Sequence, residues 1–342
     1  MPSAADDIRG AIERAGTISF RDFMSLALYG EHGFYSQAGS AGRRGDFITS
    51  PEVGPLFGAV LARALDEWWG ELGSPNDFVV VEVGAGPGTL ARAVIAAQPE
   101  CLRSGSYVAV EFSGEQRRRH PDSVHSVREL PRSIEHGVVI ANELLDNLPF
   151  RLFVFDGGWR EARVAVNGDG NFVEVLGERV ETPTGFPETA PHGSRLPLQD
   201  SAREWIATAR STVHHGRVVV IDYCTPQTVE LVAMPWREWL RTYRSHERGS
   251  HYLRNAGTQD ITAQVCIDQL GVEDLQLTTQ AEFLRMHGID ELVDEGRRYW
   301  DAHREHPDVR AMTMRSRVRE AEAICDPNGL GAFTVLEVVQ SS

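Results

Sequence analysis

A run of apolar residues followed by three closely spaced glycines constrains this chain most. Residues 78–83 read Phe-Val-Val-Val-Glu-Val, and glycines follow at positions 84, 86 and 88. The mostly β-branched run predicts a strand buried on both faces, like a central strand of a parallel sheet. The glycines permit a tight turn that brings backbone close to a ligand. With the helical pattern of residues 90–97, the stretch predicts an α/β fold.

The spacing of the glycines indicates which ligand the turn binds. It is G-x-G-x-G rather than the G-x-G-x-x-G of dinucleotide sites, and Glu82 precedes the first glycine by two residues. A dinucleotide presents an anionic pyrophosphate to such a turn, whereas S-adenosylmethionine (SAM) presents a sulfonium and an ammonium. A carboxylate at Glu82 suits the ammonium or orders the loop. An ordinary glycine turn with a surface glutamate, and a nucleotide site, stay open as alternatives. The residues that we predict to bind SAM here are Glu82, Gly84, Ala85, Gly86, Pro87 and Gly88.

A second acid follows the next predicted strand. Residues 107–110 are apolar and lead to Glu111, which lies 23 residues after Gly88. In doubly wound folds an acid about 20 residues beyond the glycines binds ribose hydroxyls. Glu111 is therefore predicted to bind the ribose; the alternative is an exposed acid at a strand end.

Polar residues also follow the predicted strand at 137–141. Ligands of open α/β sheets collect at the carboxyl ends of strands, and Asn142, Glu143 and Asp146 lie there. Acids three residues apart converge if the chain turns helically. We predict that Glu143 and Asp146 bind the group that is modified and that Asn142 positions the cofactor or the nucleophile. In the alternative, one acid caps a helix and the other is solvated.

Composition excludes several classes of function. The chain has 34 basic residues, all of them arginine, and 49 acidic residues, which gives a net charge of −15. We therefore expect no nucleic acid substrate, because binding to a phosphate backbone requires a basic surface. A basic protein partner is compatible with this acidic charge. Four scattered cysteines show no C-x-x-C pairing, which predicts no metal site and a reduced, cytoplasmic chain. No apolar run is long enough to span a bilayer, so no membrane partner is expected. A homodimer is left open.

The remaining patterns suggest how the chain is organised. Helical spacing predicts two helices within residues 4–30, one helix over 51–69 and more over 279–323, while 260–263 resemble a capped helix start. The segment 45–52 is predicted to be a flap that carries Asp46, Thr49 and Ser50 to the cofactor; the alternative is a capped loop that packs the N-terminal residues onto the sheet. The predicted units are a helical arm with the flap (1–75), the SAM-binding core with a β-hairpin insertion near 150–185 (76–225), a mainly helical accessory region (226–330) and a final core strand (331–342).

Several of these stretches together resemble the MidA family of class I SAM-dependent methyltransferases. They are residues 23–29, 45–52, 82–90, 142–149 and 260–265. The resemblance implies a Rossmann-like seven-stranded sheet and protein-arginine methylation, since the mitochondrial member of the family methylates an arginine during respiratory complex I assembly. Ala93, Leu144, Leu145 and Asn147 depart from the family pattern, which puts the acceptor in question. A methyltransferase for another acceptor, or a SAM-binding assembly factor without catalysis, stays an alternative.

Overall fold

The structure is a computed structural model that describes residues 2–37, 49–244 and 247–341. The helices of these ranges are α1 Ala4–Ala15, α2 Phe20–Tyr29, α3 Phe34–Gln37, α4 Ser50–Val53, α5 Leu56–Glu71, α6 Thr89–Ala96, α7 Gly114–Arg117, α8 Asp200–Thr212, α9 Trp236–Trp239, α10 Gln280–Met286, α11 Ile289–His303 and α12 Val309–Ile324. The strands are β1 Ile18–Ser19, β2 Phe78–Val83, β3 Ser106–Val110, β4 His125–Val127, β5 Ile134–Asn142, β6 Arg151–Phe155, β7 Trp159–Val166, β8 Phe172–Arg179, β9 Arg195–Leu198, β10 Val213–Asp222, β11 Cys224–Thr225, β12 Leu240–Arg244, β13 Glu247–Arg248, β14 Asp260–Ala263, β15 Val265–Cys266, β16 Gln276–Thr279 and β17 Thr334–Ser341.

A seven-stranded sheet forms the centre of the fold, in the order β16-β17-β10-β5-β2-β3-β4. The five strands from β10 to β4 are parallel, and β17 and β16 are antiparallel to their neighbours. The glycine-containing strand β2 lies between β3 and β5, where the strand order reverses direction. A ligand crevice is expected at the carboxyl ends of the strands at this point. The predicted α/β class with a seven-stranded sheet is confirmed.

Two glycines let β5 and β10 approach their neighbours closely. Gly137 and Gly216 are paired in register. A Cβ on Gly137 would lie 2.1 Å from the Val79 carbonyl oxygen, and one on Gly216, whose φ is +142°, would lie 1.8 Å from the Gly137 carbonyl oxygen. A side chain therefore has no space at either position, and glycine is required for this strand spacing.

Apolar side chains cover both faces of the central sheet. Helices α5, α6, α10, α11 and α12 contribute to the core on one face, and α8 contributes to the core on the other. A third apolar cluster joins α1 and α2 to the antiparallel sheet β1-β7-β6-β9 and to residues 231–266. The two N-terminal helices thus pack on the inserted strands, and the two predicted helices within residues 4–30 are confirmed.

Two predicted elements differ from the structure. The single helix expected over 51–69 is two helices, α4 and α5, separated at Gly54 and Pro55. A Cβ on Gly54 would lie 2.2 Å from the carboxyl carbon of Glu320, so a side chain there would displace the Glu320 side chain. The helix start expected at 260–263 is wrong: these residues form strand β14, antiparallel to β12. The division into four units stays a prediction. None of the described helices is long and apolar enough to cross a membrane.

Candidate functional site

A cavity of about 300 Å³ opens at the carboxyl ends of β2, β3 and β5. It is at the switch point of the sheet, where the fold predicts a ligand. Its walls come from several parts of the chain that are far apart in sequence. The lining residues on which the argument depends are Tyr29, Tyr35, Thr49, Glu52, Glu82, Gly84, Ala85, Gly86, Pro87, Glu111, Phe112, Gln116, Arg128, Asn142, Glu143 and Leu144.

The glycine turn borders this cavity in a left-handed conformation. The φ values of Gly84, Gly86 and Gly88 are +73°, +52° and +79°. A residue with a side chain would be strained in this conformation, whereas glycine is not. A Cβ on Gly86 would meet nothing within 4 Å, so the backbone there is open to a ligand. Gly88 does not line the cavity; it precedes α6 and packs against His120.

Glu82 is buried under this turn. It borders the cavity and accepts a hydrogen bond of 2.8 Å from the Tyr107 hydroxyl. Burial raises the pKa of its carboxyl to about 8, so the group is mostly protonated at neutral pH. This environment suits the ordering of the loop better than the binding of an ammonium.

Glu111 connects the end of β3 to the glycine turn. Its Oε2 accepts from the Gly86 N–H at 2.9 Å, and its Oε1 accepts from the Ser113 N–H at 2.7 Å. Burial raises the pKa of the carboxyl. Each carboxylate oxygen accepts more than one hydrogen bond, so Glu111 retains acceptor capacity for ribose hydroxyls.

Three residues beyond Glu111 line the cavity and were not predicted from the sequence. The Phe112 ring is 42% exposed, and the Arg128 guanidinium lies 4.7 Å from its centroid. Gln116 is 93% buried, and its Oε1 has no hydrogen-bond partner among the described residues. The only sequence signal was the position of Phe112 directly after the acid that ends β3.

Glu143 projects into the cavity from a strained backbone. Its φ is +51°, which is rare for a residue other than glycine. Its Oε1 accepts from the Ser50 N–H at 3.3 Å and from the Asn142 amide at 3.2 Å. Burial, followed by the nearby Asp146, raises the pKa of this carboxyl to about 8. Strain of this kind is typical of functional positions.

Asp146 lies beneath the cavity rather than on its wall. It is buried, and its Oδ2 accepts from the Tyr223 hydroxyl at 2.7 Å and from the Thr262 hydroxyl. Its Oδ1 is buried without a partner among the described residues. Burial raises the pKa of the carboxyl. Asp146 is near enough for its charge to raise the pKa of Glu143. Of these two acids, only Glu143 borders the cavity.

Two further acids, Asp222 and Asp260, were missed by sequence reasoning. Asp222 accepts from the N–H groups of Leu145 and Asp146 at 3.0 and 3.2 Å, and burial raises its pKa well above the usual range. Asp260 accepts from the Tyr35 hydroxyl at 3.0 Å, and burial raises its pKa to about 7. The signal for Asp222 was its place after the apolar run at the end of β10.

The predicted flap residues fall in different places. Thr49 lines the cavity, whereas Ser50 is fully buried outside it and reaches the site through its N–H on Glu143. Asp46 lies outside the described residues. Glu52, which was not predicted to be a site residue, lines the cavity and accepts from the Thr89 hydroxyl at 2.6 Å.

The cavity fits an adenosyl ligand with a cationic end. Gln116 Oε1 and Asn142 Oδ1 are buried acceptors without partners among the described residues, and the open backbone at Gly86 leaves space for a ligand. The carboxyl groups of Glu111 and Glu143 border the same space. Across the described ranges, no group of three or more potential ligands is arranged to hold a metal ion.

The parallel sheet, the glycine turn and the acid after β3 together define a class I methyltransferase. The model of a family of S-adenosyl-L-methionine-dependent methyltransferases matches residues 60–285, and the chain belongs to this family, as the MidA resemblance predicted. The predicted cofactor, SAM, is confirmed. A crystal structure of a Burkholderia thailandensis protein with S-adenosylhomocysteine bound superposes with a TM-score of 0.83 at 26% identity, over 98% of this chain and 92% of that one.

Relatives named as protein arginine methyltransferase NDUFAF7, mitochondrial, are also similar to this chain. The Bos taurus protein is 36% identical over 327 residues, which cover 82% of this chain and 72% of that protein. The Drosophila melanogaster homolog is 31% identical over 218 residues; the match covers 53% of this chain and only half (50%) of that protein. The prediction of a cytoplasmic chain is wrong by this comparison, because these relatives are named as mitochondrial. The homodimer stays a prediction.

Proposed function

We propose that this chain transfers a methyl group from SAM to a guanidinium nitrogen of an arginine in a protein substrate. The observation that carries the proposal is the Glu143 carboxyl, which borders the cofactor cavity on a backbone with φ of +51°. The names of the relatives support arginine as the acceptor. The negative net charge of the chain suits a basic substrate.

Arginine methylation requires a group that binds a cation and accommodates the loss of a proton. SAM supplies a methyl group on a positive sulfonium; as the nitrogen–carbon bond forms, the carbon–sulfur bond breaks and the nitrogen gives up one proton. Glu143 binds the guanidinium, which is planar and always charged when free, and a carboxylate engages it by two parallel hydrogen bonds. The raised pKa of Glu143 makes it a better proton acceptor than an exposed glutamate.

Asn142 and Asp146 act around Glu143 in this proposal. The Asn142 amide donates to Glu143 and fixes the direction of the carboxyl, and its unpartnered Oδ1 is available to the cofactor or the nucleophile. Asp146 adds negative potential beneath the pocket and favours a cation above it. In the cofactor part of the cavity, Glu111 binds the ribose, Gly84 to Pro87 hold the amino-acid end, and Glu82 orders the turn.

The test is methyl transfer from labelled SAM to arginine peptides and to the same peptides with lysine in place of arginine. We expect label only on the arginine peptides. Glu143→Gln is expected to lower transfer at least 100-fold while S-adenosylhomocysteine binds with unchanged affinity. Glu115→Gln, an exposed acid near the cavity, is the control and should retain full transfer. Label on a different acceptor, or full turnover by Glu143→Gln, would contradict the proposal.

A further inference from the structure

A buried chain of hydrogen bonds runs from α12 to Glu143. The Gln280 amide donates to the Ile324 carbonyl at 2.8 Å, and its Oε1 accepts from the Ser50 hydroxyl at 2.8 Å. The Ser50 N–H then donates to Glu143 at 3.3 Å. Gln280 and Ser50 are both completely buried. The bond between Ser50 and Gln280 joins residues that are 230 positions apart in sequence. It thereby connects α10 to the residue whose N–H contacts Glu143.

Packing alone does not explain a polar side chain at position 280. A buried amide that is not hydrogen-bonded at both ends destabilises the fold, whereas an apolar side chain of similar size has no such requirement. Both ends of the Gln280 side chain are used, and one of them bonds the residue whose N–H meets Glu143. The two hydrogen bonds of Gln280 fix the position of the Ser50 hydroxyl, which an apolar contact would leave free.

The same short segment is held at two more points. The Thr89 hydroxyl donates to Glu52 at 2.6 Å, and the Leu56 N–H donates to Glu320 of α12 at 2.9 Å. Glu320 also packs on Gly54. Residues 49–56 are therefore fixed at three places, and Gln280 holds the place that contacts Glu143.

We propose that Gln280 is a positioning residue for Glu143: through the Ser50 hydroxyl it places the Ser50 N–H against the carboxyl and favours the charged form that binds the substrate cation. Helix α10 thereby takes part in building the acceptor site although it does not border the cavity. The inference rests on the proposed function only for the identity of that cation.

The charges around Glu143 determine the direction of the effect. Among the described residues, the charge of Asp146 opposes the ionisation of Glu143, and the charge of Glu143 in turn raises the pKa of Asp222. Within the described part of the chain, the Ser50 N–H and the Asn142 amide donate hydrogen bonds to Glu143 that favour its ionisation. Loss or lengthening of the Ser50 hydrogen bond should therefore raise the pKa of Glu143 further.

The test is the titration of the Glu143 carboxyl by ¹³C NMR, with the signal assigned by its absence in Glu143→Gln. In Gln280→Met, which keeps the volume but removes both hydrogen bonds, we expect the midpoint to rise by about 0.5–1 pH unit, a threefold to tenfold change in proton affinity. Gln269→Met is the matched control. That amide donates to the Pro197 carbonyl and the Thr228 hydroxyl at 2.9 and 2.8 Å, away from the cavity. It should leave the midpoint unchanged.

A second variant keeps the test decisive if Gln280→Met does not fold. Ser50→Ala removes the hydroxyl that reaches Gln280 but retains the N–H, so the midpoint should rise in the same direction. Both substitutions remove the same hydrogen bond, between the Ser50 hydroxyl and Gln280. Their effects on the midpoint should therefore not add in the double variant. An unchanged midpoint in a folded variant of either kind, or additive shifts, would overturn the inference.

The titration also separates this inference from the proposed function. A raised midpoint in a protein that methylates no arginine peptide would support the positioning role and reject arginine as acceptor. An unchanged midpoint in a protein that methylates arginine would reject only the role of Gln280.

Discussion

The raised pKa of Glu143 predicts that Glu143→Gln stabilises the protein at alkaline pH. Its folded value of about 8 stands against 4.5 for an ordinary glutamate. Between these values the native state holds a proton that the unfolded state has released, so this carboxyl makes stability fall as pH rises from about 4.5 to 8. Glutamine does not ionise, and the variant therefore lacks that fall.

The magnitude follows from the size of the shift. Each pKa unit corresponds to about 1.4 kcal/mol, so the full shift sets an upper bound of about 5 kcal/mol above pH 8. Glu143 lines a cavity rather than the closed core, and solvent that enters there reduces the cost of its charge; we therefore expect a gain of about 2–3 kcal/mol at pH 9 and little at pH 5.

Urea unfolding from pH 5 to 9 measures this difference. The free energy of unfolding of Glu143→Gln relative to the native sequence should rise with pH and level off above 8. Glu115→Gln controls for the loss of a surface charge. A difference that stays constant from pH 5 to 9 would refute the reasoning, and with it the picture of a carboxyl kept neutral by burial.

Three further substitutions test other parts of the structure. We expect the unpartnered Gln116 Oε1 to accept a hydrogen bond from the adenine amino group, so Gln116→Leu should weaken S-adenosylhomocysteine binding about fivefold to tenfold by calorimetry; an analogue without that amino group should bind both forms equally. Tyr223→Phe removes a donor to Asp146, and we expect a loss of about 1–2 kcal/mol in thermal unfolding that is larger where the carboxyl is charged, at high pH, than where it is protonated, since the hydrogen bond is stronger to the carboxylate. Gly137→Ala places a methyl group against the Val79 carbonyl oxygen and should cost at least about 3 kcal/mol in urea unfolding; near-native stability would show that β5 and β2 separate easily.

The central sheet was predictable because its signals are local. Unbroken apolar runs at 78–81, 107–110 and 137–141 each specify a buried strand, and the closely spaced glycines specify a tight turn after the first of them. The acids Glu82, Glu111 and Glu143 were recognised because a strand end in a parallel sheet fixes their common edge. The local pattern was therefore sufficient to place these three side chains beside the cavity; their roles stay predictions.

Other features depend on contacts between distant parts of the chain, which the local pattern does not contain. Asp260 looked like a helix cap, since aspartate is a preferred residue at that position; its carboxyl instead bonds Tyr35 and Asn147. Gln280 looked like an ordinary helical residue, and its role follows only from the position of Ser50. Gln116 likewise could not be identified from the sequence, because its place in the cavity wall depends on how distant segments pack around it.

The backbone at Glu143 has a consequence for how relatives of this chain can be read. Its left-handed conformation favours glycine, asparagine or aspartate, whereas the proposed chemistry needs a long acidic side chain. Two selective pressures therefore oppose each other at a single codon. If the need for methyl transfer were removed, relaxation of the strain alone would favour replacement of this residue, since destabilising functional residues are retained only while function requires them. If Glu143 has the role that we propose, a relative that lacks an acid at this position is expected to keep the fold without this chemistry.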